Sequence, residues 1–161
     1  KIIFVPDENL GQYVAKQVPH KELILWPGCC VTHAKVKAAD VRTARNKYPD
    51  AKILVHPERA PAVADLADFV GSTSAIIKFA EQSPDRTFII GTEMGVLHKL
   101  KHRCPDKQFL LLHPGLLCPN MKKTTLASVQ SALLNKQHEI TVPEALARPA
   151  ALALRRMLEL V

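Results

Sequence analysis

Six short apolar runs recur along the chain, at 2–5, 22–25, 53–55, 68–70, 88–90 and 109–112, and none alternates cleanly between apolar and polar residues. A strand buried on both faces has no reason to alternate, so such runs suit a parallel sheet covered by helices on both sides. Helix-like stretches separate them: 10–17 with Asn9 as N-cap, then 35–47, 62–66, 74–81 and 95–102. Strands alternating with helices define an α/β architecture with right-handed crossovers. The tail differs and reads as two helices, 126–134 and 144–160. Pro143 suits a first helical turn, whereas Pro149 is expected to break or restart the second helix. Ala147, Ala151, Leu154 and Leu158 give that helix one apolar face.

Two pieces of the chain match each other. Ile2-Ile3-Phe4-Val5-Pro6-Asp7 resembles Phe88-Ile89-Ile90-Gly91-Thr92-Glu93. Pro19-His20-Lys21 resembles Pro105-Asp106-Lys107, and Leu25-Trp26-Pro27-Gly28 resembles Leu112-His113-Pro114-Gly115. Each piece ends in a cysteine, Cys30 or Cys118, and every match lies roughly 87 residues from its partner. This is an internal repeat of domain size. It divides the chain into residues 1–30 (the second half of one α/β/α unit), residues 31–118 (a following unit) and residues 119–161 (a C-terminal helical segment). The counterpart of 31–87 is expected upstream of Lys1.

Composition narrows the partners. With 22 Lys and Arg against 15 Asp and Glu, the formal charge is +7, but the positive residues are scattered. Aromatic residues make up only 5%, so platforms for stacking bases are scarce. The charge is better suited to an anionic small substrate than to nucleic acid. No apolar run approaches the ~20 residues of a membrane span. No export leader is read, so a cytoplasmic location is expected, and with it mostly reduced thiols at Cys29, Cys30, Cys104 and Cys118. There is no CxxC pair for a zinc ribbon or a thioredoxin motif.

In an open α/β sheet, ligands bind beyond the carboxyl ends of the strands. Nearly every such end carries polar, sulfur or glycine-rich residues: Asp7 and Asn9, Cys30 and His33, His56-Pro57-Glu58, Gly71-Ser72-Thr73-Ser74, Thr92-Glu93, and Cys118. Cys30 and Cys118 are equivalent in the two repeats. Two such thiolates can ligate a soft metal or an iron–sulfur cluster; the alternative is a pair of buried free thiols. Cys29 and Cys104 have no counterparts and read as structural. In an extended segment His56 and Glu58 point the same way, as an acid and base or as a grip on substrate, or else they form a solvated turn. His33 is either a ligand or proton donor or a surface residue. Ser72 and Thr73 either hold a phosphate or carboxylate at a helix N-terminus or only cap that helix. Glu93 is either catalytic or a cap.

Together these residues resemble the quinolinate synthase family. The matching motifs are Pro6-Asp7-Glu8-Asn9-Leu10-Gly11, Trp26-Pro27-Gly28-x-Cys30-x-x-His33, His56-Pro57-Glu58, Ala67-Asp68-x-x-Gly71-Ser72-Thr73-Ser74, Gly91-Thr92-Glu93 and Cys118-Pro119-Asn120-Met121-Lys122-Lys123. They occur in order along the whole chain, which is similar to roughly the family's C-terminal half. The resemblance implies three α/β/α units with parallel sheets around a pseudo-threefold axis, of which this chain holds part of the middle unit and the third. It implies condensation of iminoaspartate with dihydroxyacetone phosphate to quinolinate, a precursor of NAD. It also implies a [4Fe-4S] cluster with one open iron, held by Cys30, Cys118 and a third cysteine upstream. Glu58 would be acid and base, and His33 would sit close to the open iron. His56, Pro57, Glu58, Ser72 and Thr73 would hold substrate. One departure is Arg59, where the family usually carries a cysteine that is not a cluster ligand. Without the upstream cysteine and substrate residues, the 161 residues alone are expected to be inactive. The competing expectation is a non-catalytic module that binds small dicarboxylates or phosphates.

Overall fold

The computed structural model describes residues 1–159. The chain divides into two compact units, Lys1–Cys118 and the stretch from Pro119 onward. The first unit holds two parallel sheets. In the smaller, β1 (Ile2–Phe4) pairs with β2 (Leu23–Leu25) through the crossover helix α1 (Glu8–Gln17). The larger has four strands in the order β4-β3-β5-β6: β3 (Lys52–Val55), β4 (Phe69–Val70), β5 (Thr87–Gly91) and β6 (Gln108–Leu111). Every pairing is parallel, which is the α/β arrangement that the non-alternating runs require.

Burial on both faces of the larger sheet explains the missing alternation. Ile53, Val55 and Ile89 point to one side, where they pack with Val41 of α2 (Ala38–Lys47) and Val63 of α3 (Pro61–Ala64). Leu54, Phe88 and Ile90 point to the other, against Ile76, Ile77 and Ala80 of α4 (Thr73–Gln82) and Val96 and Leu100 of α5 (Val96–Arg103). Successive strand residues thus feed opposite cores of a three-layer stack. Cys104 is buried in the second core as a small apolar residue, while Cys29 is exposed and packs into neither.

The smaller sheet departs from the expectation of two buried faces. α1 covers one face so closely that a Cβ on its Gly11 would lie 2.6 Å from a Leu25 methyl. Ile3 is nevertheless 74% exposed, and Ile24 is exposed as well. Apolar composition favours burial, but a face is buried only if a second layer lies over it, and the described residues of this unit put none there.

α1 and α4 start on side-chain oxygen acceptors. Asp7, not Asn9, caps α1: its Oδ1 accepts from the Leu10 N–H at 2.8 Å, and Asn9 lies inside the helix. The carboxylate two residues earlier wins because it reaches a first-turn N–H that would otherwise have no partner. Ahead of α2, residues 33–35 form a separate 3-10 turn, so the expected start at residue 35 moves to Ala38.

The second unit contains a 3-10 turn (Met121–Lys123), α6 (Leu126–Asn135) and α7 (Glu144–Glu159). Thr125 and Ser128 cap α6 reciprocally, each hydroxyl accepting from the other's backbone N–H at 3.1 and 3.0 Å. α7 runs through Pro149, contrary to the expected break. Proline removes a single backbone bond, to the carbonyl of Ala145, and that residue is exposed, so the freed acceptor is open to solvent. The expected end of this helix at residue 160 lies outside the described residues. No described helix is long and apolar enough to cross a membrane.

Among the glycines, Gly28 is the most closely approached, since a Cβ there would lie 2.2 Å from the Pro6 carbonyl oxygen. Gly28→Ala is expected to lower stability by ~1–3 kcal/mol, because the β1 and β2 loops must separate to admit one methyl. Urea unfolding measures this, and an unchanged midpoint would show that the two loops part freely.

Candidate functional site

Parallel pairing brings the strand ends level. Val55 at the end of β3 is in register with Val70 of β4 on one side and Gly91 of β5 on the other. The loops that follow therefore leave the same edge side by side: 56–59 after β3, Gly71-Ser72-Thr73 after β4, and Thr92-Glu93 after β5. Backbone bonds tie them together, with His56 N–H donating to Gly91 O at 3.3 Å and Gly71 N–H to Val55 O at 3.1 Å.

The loop after β2 joins this edge through Asp7. While Oδ1 caps α1, Oδ2 accepts from the Cys30 N–H at 2.9 Å, so one buried carboxylate holds both the helix and the cysteine loop. Cys30, His33 and Glu58 then converge: a thiol sulfur, an imidazole nitrogen and a carboxylate oxygen all lie within 4.8 Å of one another. Among the described residues this is the group of three or more such donors that comes together, and Cys118 is not a member. Cys118 is half-buried at the end of the first unit, and its N–H reaches Glu93 Oε1 at 3.5 Å. The other Glu93 oxygen accepts from the Gly95 N–H at 2.6 Å, just ahead of α5, whose first turn receives no side-chain cap.

His33 is the best-held side chain of the group. Its Nδ1 lies 2.8 Å from Glu58 Oε2 and its Nε2 lies 3.2 Å from Thr92 Oγ1. A carboxylate can only accept, so Nδ1 carries the proton and Nε2 accepts from the threonine hydroxyl. The ring stacks on His56, with centroids 4.9 Å apart and planes 4° from parallel. Residues 57–59 bend into a turn instead of continuing the strand. His56 and Glu58 still meet, because the Glu58 N–H donates back to His56 Nδ1 at 3.3 Å.

Arg59 completes the site from beneath and is only 1% exposed. Its Nε and Nη2 donate to Gly91 O at 2.9 and 2.6 Å, and its Nη1 donates to His33 O. An arginine in a turn reads in sequence as a solvated charge. No motif signals this burial, because both acceptors are backbone carbonyls from distant loops. Burial pushes its pKa down to about 10, partly offset by Cys30 and Glu58, so the guanidinium stays charged at neutral pH.

Burial sets the protonation of the two neighbouring histidines, and the Arg59 cation adds to it. His33 titrates below the ordinary 6.5, first because of burial and then because of Arg59, against the raising effect of the Glu58 hydrogen bond. His56 is lowered mainly by burial, with Arg59 reinforcing it and Glu58 and Asp7 opposing it. The His33–Glu58 contact is therefore a neutral imidazole donating to a carboxylate, not an ion pair. Thr32, next in chain to His33, is buried with a hydroxyl that has no hydrogen-bond partner among the described residues.

Ser72 and Thr73 sit at the exposed N-terminus of α4, where Ser72 Oγ accepts from the Ala75 N–H at 3.2 Å. The cap is realised, and Thr73, inside the first turn, stands at the same edge as the His56 loop.

A parallel α/β unit whose strand-end loops gather a thiol, an imidazole and a carboxylate has the build of an enzyme's ligand-binding edge. Residues 1–159 match the family described as Quinolinate synthetase A protein, and the chain belongs to that family. It is 58% identical to a quinolinate synthase from Caldicellulosiruptor saccharolyticus, covering 99% of this chain and 53% of the relative. It is 56% identical to a quinolinate synthase from Alkaliphilus metalliredigens and 47% identical to one from Methanoregula boonei, with the same coverage in both. The chain spans about half the length of these relatives.

A pH dependence follows from the two lowered histidines. The unfolded chain protonates them near 6.5, the folded chain only at lower pH, so the unfolded state binds more protons in the window between. Stability is expected to fall as pH drops below about 6.5, and His33→Gln/His56→Gln should flatten that slope. Melting temperatures across the window measure it, and a parental slope in the double variant would refute it.

Proposed function

We propose that this chain is the portion of a quinolinate synthase that carries two cluster cysteines and the acid–base pair. The complete enzyme condenses iminoaspartate with dihydroxyacetone phosphate to quinolinate for NAD biosynthesis. The observation that carries this reading is the convergence of Cys30, His33 and Glu58 at one sheet edge in a chain of this family. The donor chemistry fits an iron–sulfur group: Cys30 and Cys118 each offer a half-buried sulfur, and neither belongs to an apolar core. They would be two of the three ligands of a [4Fe-4S] cluster, with the third from an upstream segment. When bound, such a group supplies an open iron that acts as a Lewis acid toward a substrate oxygen.

The remaining chemistry belongs to side chains. Glu58, as an ionised carboxylate, takes a proton from substrate and returns it to a leaving hydroxyl. His33 presents its Nδ1 proton to that carboxylate and is kept neutral by burial and by Arg59, so it steadies the charge on Glu58 and remains a proton donor. Thr92 holds the ring's other nitrogen and with it the tautomer. His56 and Pro57 form the wall beside Glu58, where a planar substrate would lie. Ser72 and Thr73, with the N–H groups that open α4, favour a carboxylate or phosphate at the next strand end.

The test joins this chain to the N-terminal half of a relative and reconstitutes iron and sulfide without oxygen. Cys30→Ala and Cys118→Ala are each expected to remove the brown chromophore and quinolinate formation. A retained chromophore in either variant would show that its sulfur is not a ligand. Glu58→Gln is expected to keep the chromophore and lose activity by roughly 10²-fold or more, as measured by the rate of quinolinate formation. Undiminished turnover would remove Glu58 from the acid–base role.

A further inference from the structure

The buried guanidinium of Arg59 has a place that neither cluster ligation nor substrate binding uses. Three backbone positions meet on it. Its Nε and Nη2 hold Gly91 O, and Gly91 is followed by Thr92, whose hydroxyl serves His33 Nε2. Its Nη1 holds the carbonyl of His33 itself. Its own chain neighbour is Glu58, whose carboxylate takes His33 Nδ1. Each group that contacts a nitrogen of the imidazole is thus one peptide unit from an atom fixed by the same planar fork. The three loops come from different parts of the sequence, and backbone pairing alone leaves the His33 loop untethered to the β5 end.

We propose that Arg59 is a positioning residue for His33, clamping the three loops so that the imidazole keeps one orientation and one tautomer between Glu58 and Thr92. The geometry calls for arginine specifically. A guanidinium offers five N–H donors in a rigid plane and here spans two carbonyls, one at the end of β5 and one in the His33 turn, whereas a lysine ammonium is a point donor on a flexible stem. All three Arg59 hydrogen bonds end on backbone carbonyls, so what the side chain fixes is loop geometry. The functional weight of this clamp rests on the reading of His33 and Glu58 as the working pair.

The experiment uses the 161-residue chain with 15N-labelled histidine and needs neither iron nor substrate. In the parent, the His33 ring is expected as the Nδ1-protonated tautomer with its ring proton protected from solvent. In Arg59→Lys and Arg59→Gln, the amide spectrum of the two cores should persist. Ring-proton exchange should then rise by roughly tenfold or more, and the tautomer preference should be lost. Arg103→Lys, which alters an exposed pair with Glu81 outside the site, should leave the ring unchanged. An equally protected ring proton in a folded Arg59→Lys or Arg59→Gln chain would overturn the proposal. Loss of the fold in both variants would also overturn it, by assigning Arg59 to the fold as a whole. A joined enzyme that is inactive while the ring remains sensitive to Arg59 overturns the functional reading and leaves the clamp standing.

Discussion

The parallel register of three strands is the constraint on which the rest of the site depends. Val55 pairs with Val70 on one side and Gly91 on the other, so the chain exits β3, β4 and β5 at one level. In an antiparallel sheet alternate loops would leave from opposite edges, and the His56, Ser72 and Thr92 loops could not be neighbours. Parallel strands demand helical crossovers, and those helices bury both faces. The apolar runs, the two cores and the single polar edge are therefore consequences of one pairing mode. Gly91 shows how tight the arrangement is, since a Cβ there would lie 2.7 Å from a Val55 methyl.

On that edge the decisive electrostatic element is a buried cation without a carboxylate clamped to it. Arg59 is held by carbonyl dipoles of Gly91 and His33 instead. Burial lowers the protonation of His33 and His56, and the Arg59 charge reinforces it while sharing the interior with Glu58 and Cys30. A buried charge is costly unless it is hydrogen-bonded, and saturating it with backbone acceptors also locks the loops that supply them. Burial, charge and loop geometry are thus one feature seen three ways.

Much of this was legible in the residues. The six strands and most helices fall where the apolar runs and turn residues put them, and the candidate residues were those following each strand. What was misread turned on local competition or on missing layers. Asp7 caps α1 in place of Asn9 because it reaches a first-turn N–H, and its second oxygen also holds the Cys30 loop. Pro149 stays inside α7, and the carbonyl it strands belongs to an exposed residue, Ala145. The exposed faces of β1 and β2 look in sequence like those of β3 and β5, because composition records what a strand would bury and not what lies over it.

The sequence by itself determined the class of sheet, the order of its elements, the doubled cysteine motif and the resemblance that led to the family. These are carried by residue type at short or regular spacing, which hydrophobic burial and hydrogen-bond capping translate directly into local structure. Only the tertiary structure decided that His33 stacks on His56, donates to Glu58 and is braced by a buried Arg59. Those contacts join residues more than 20 positions apart, and the Arg59 bonds end on backbone carbonyls that every residue possesses, so no local pattern of side chains announces them.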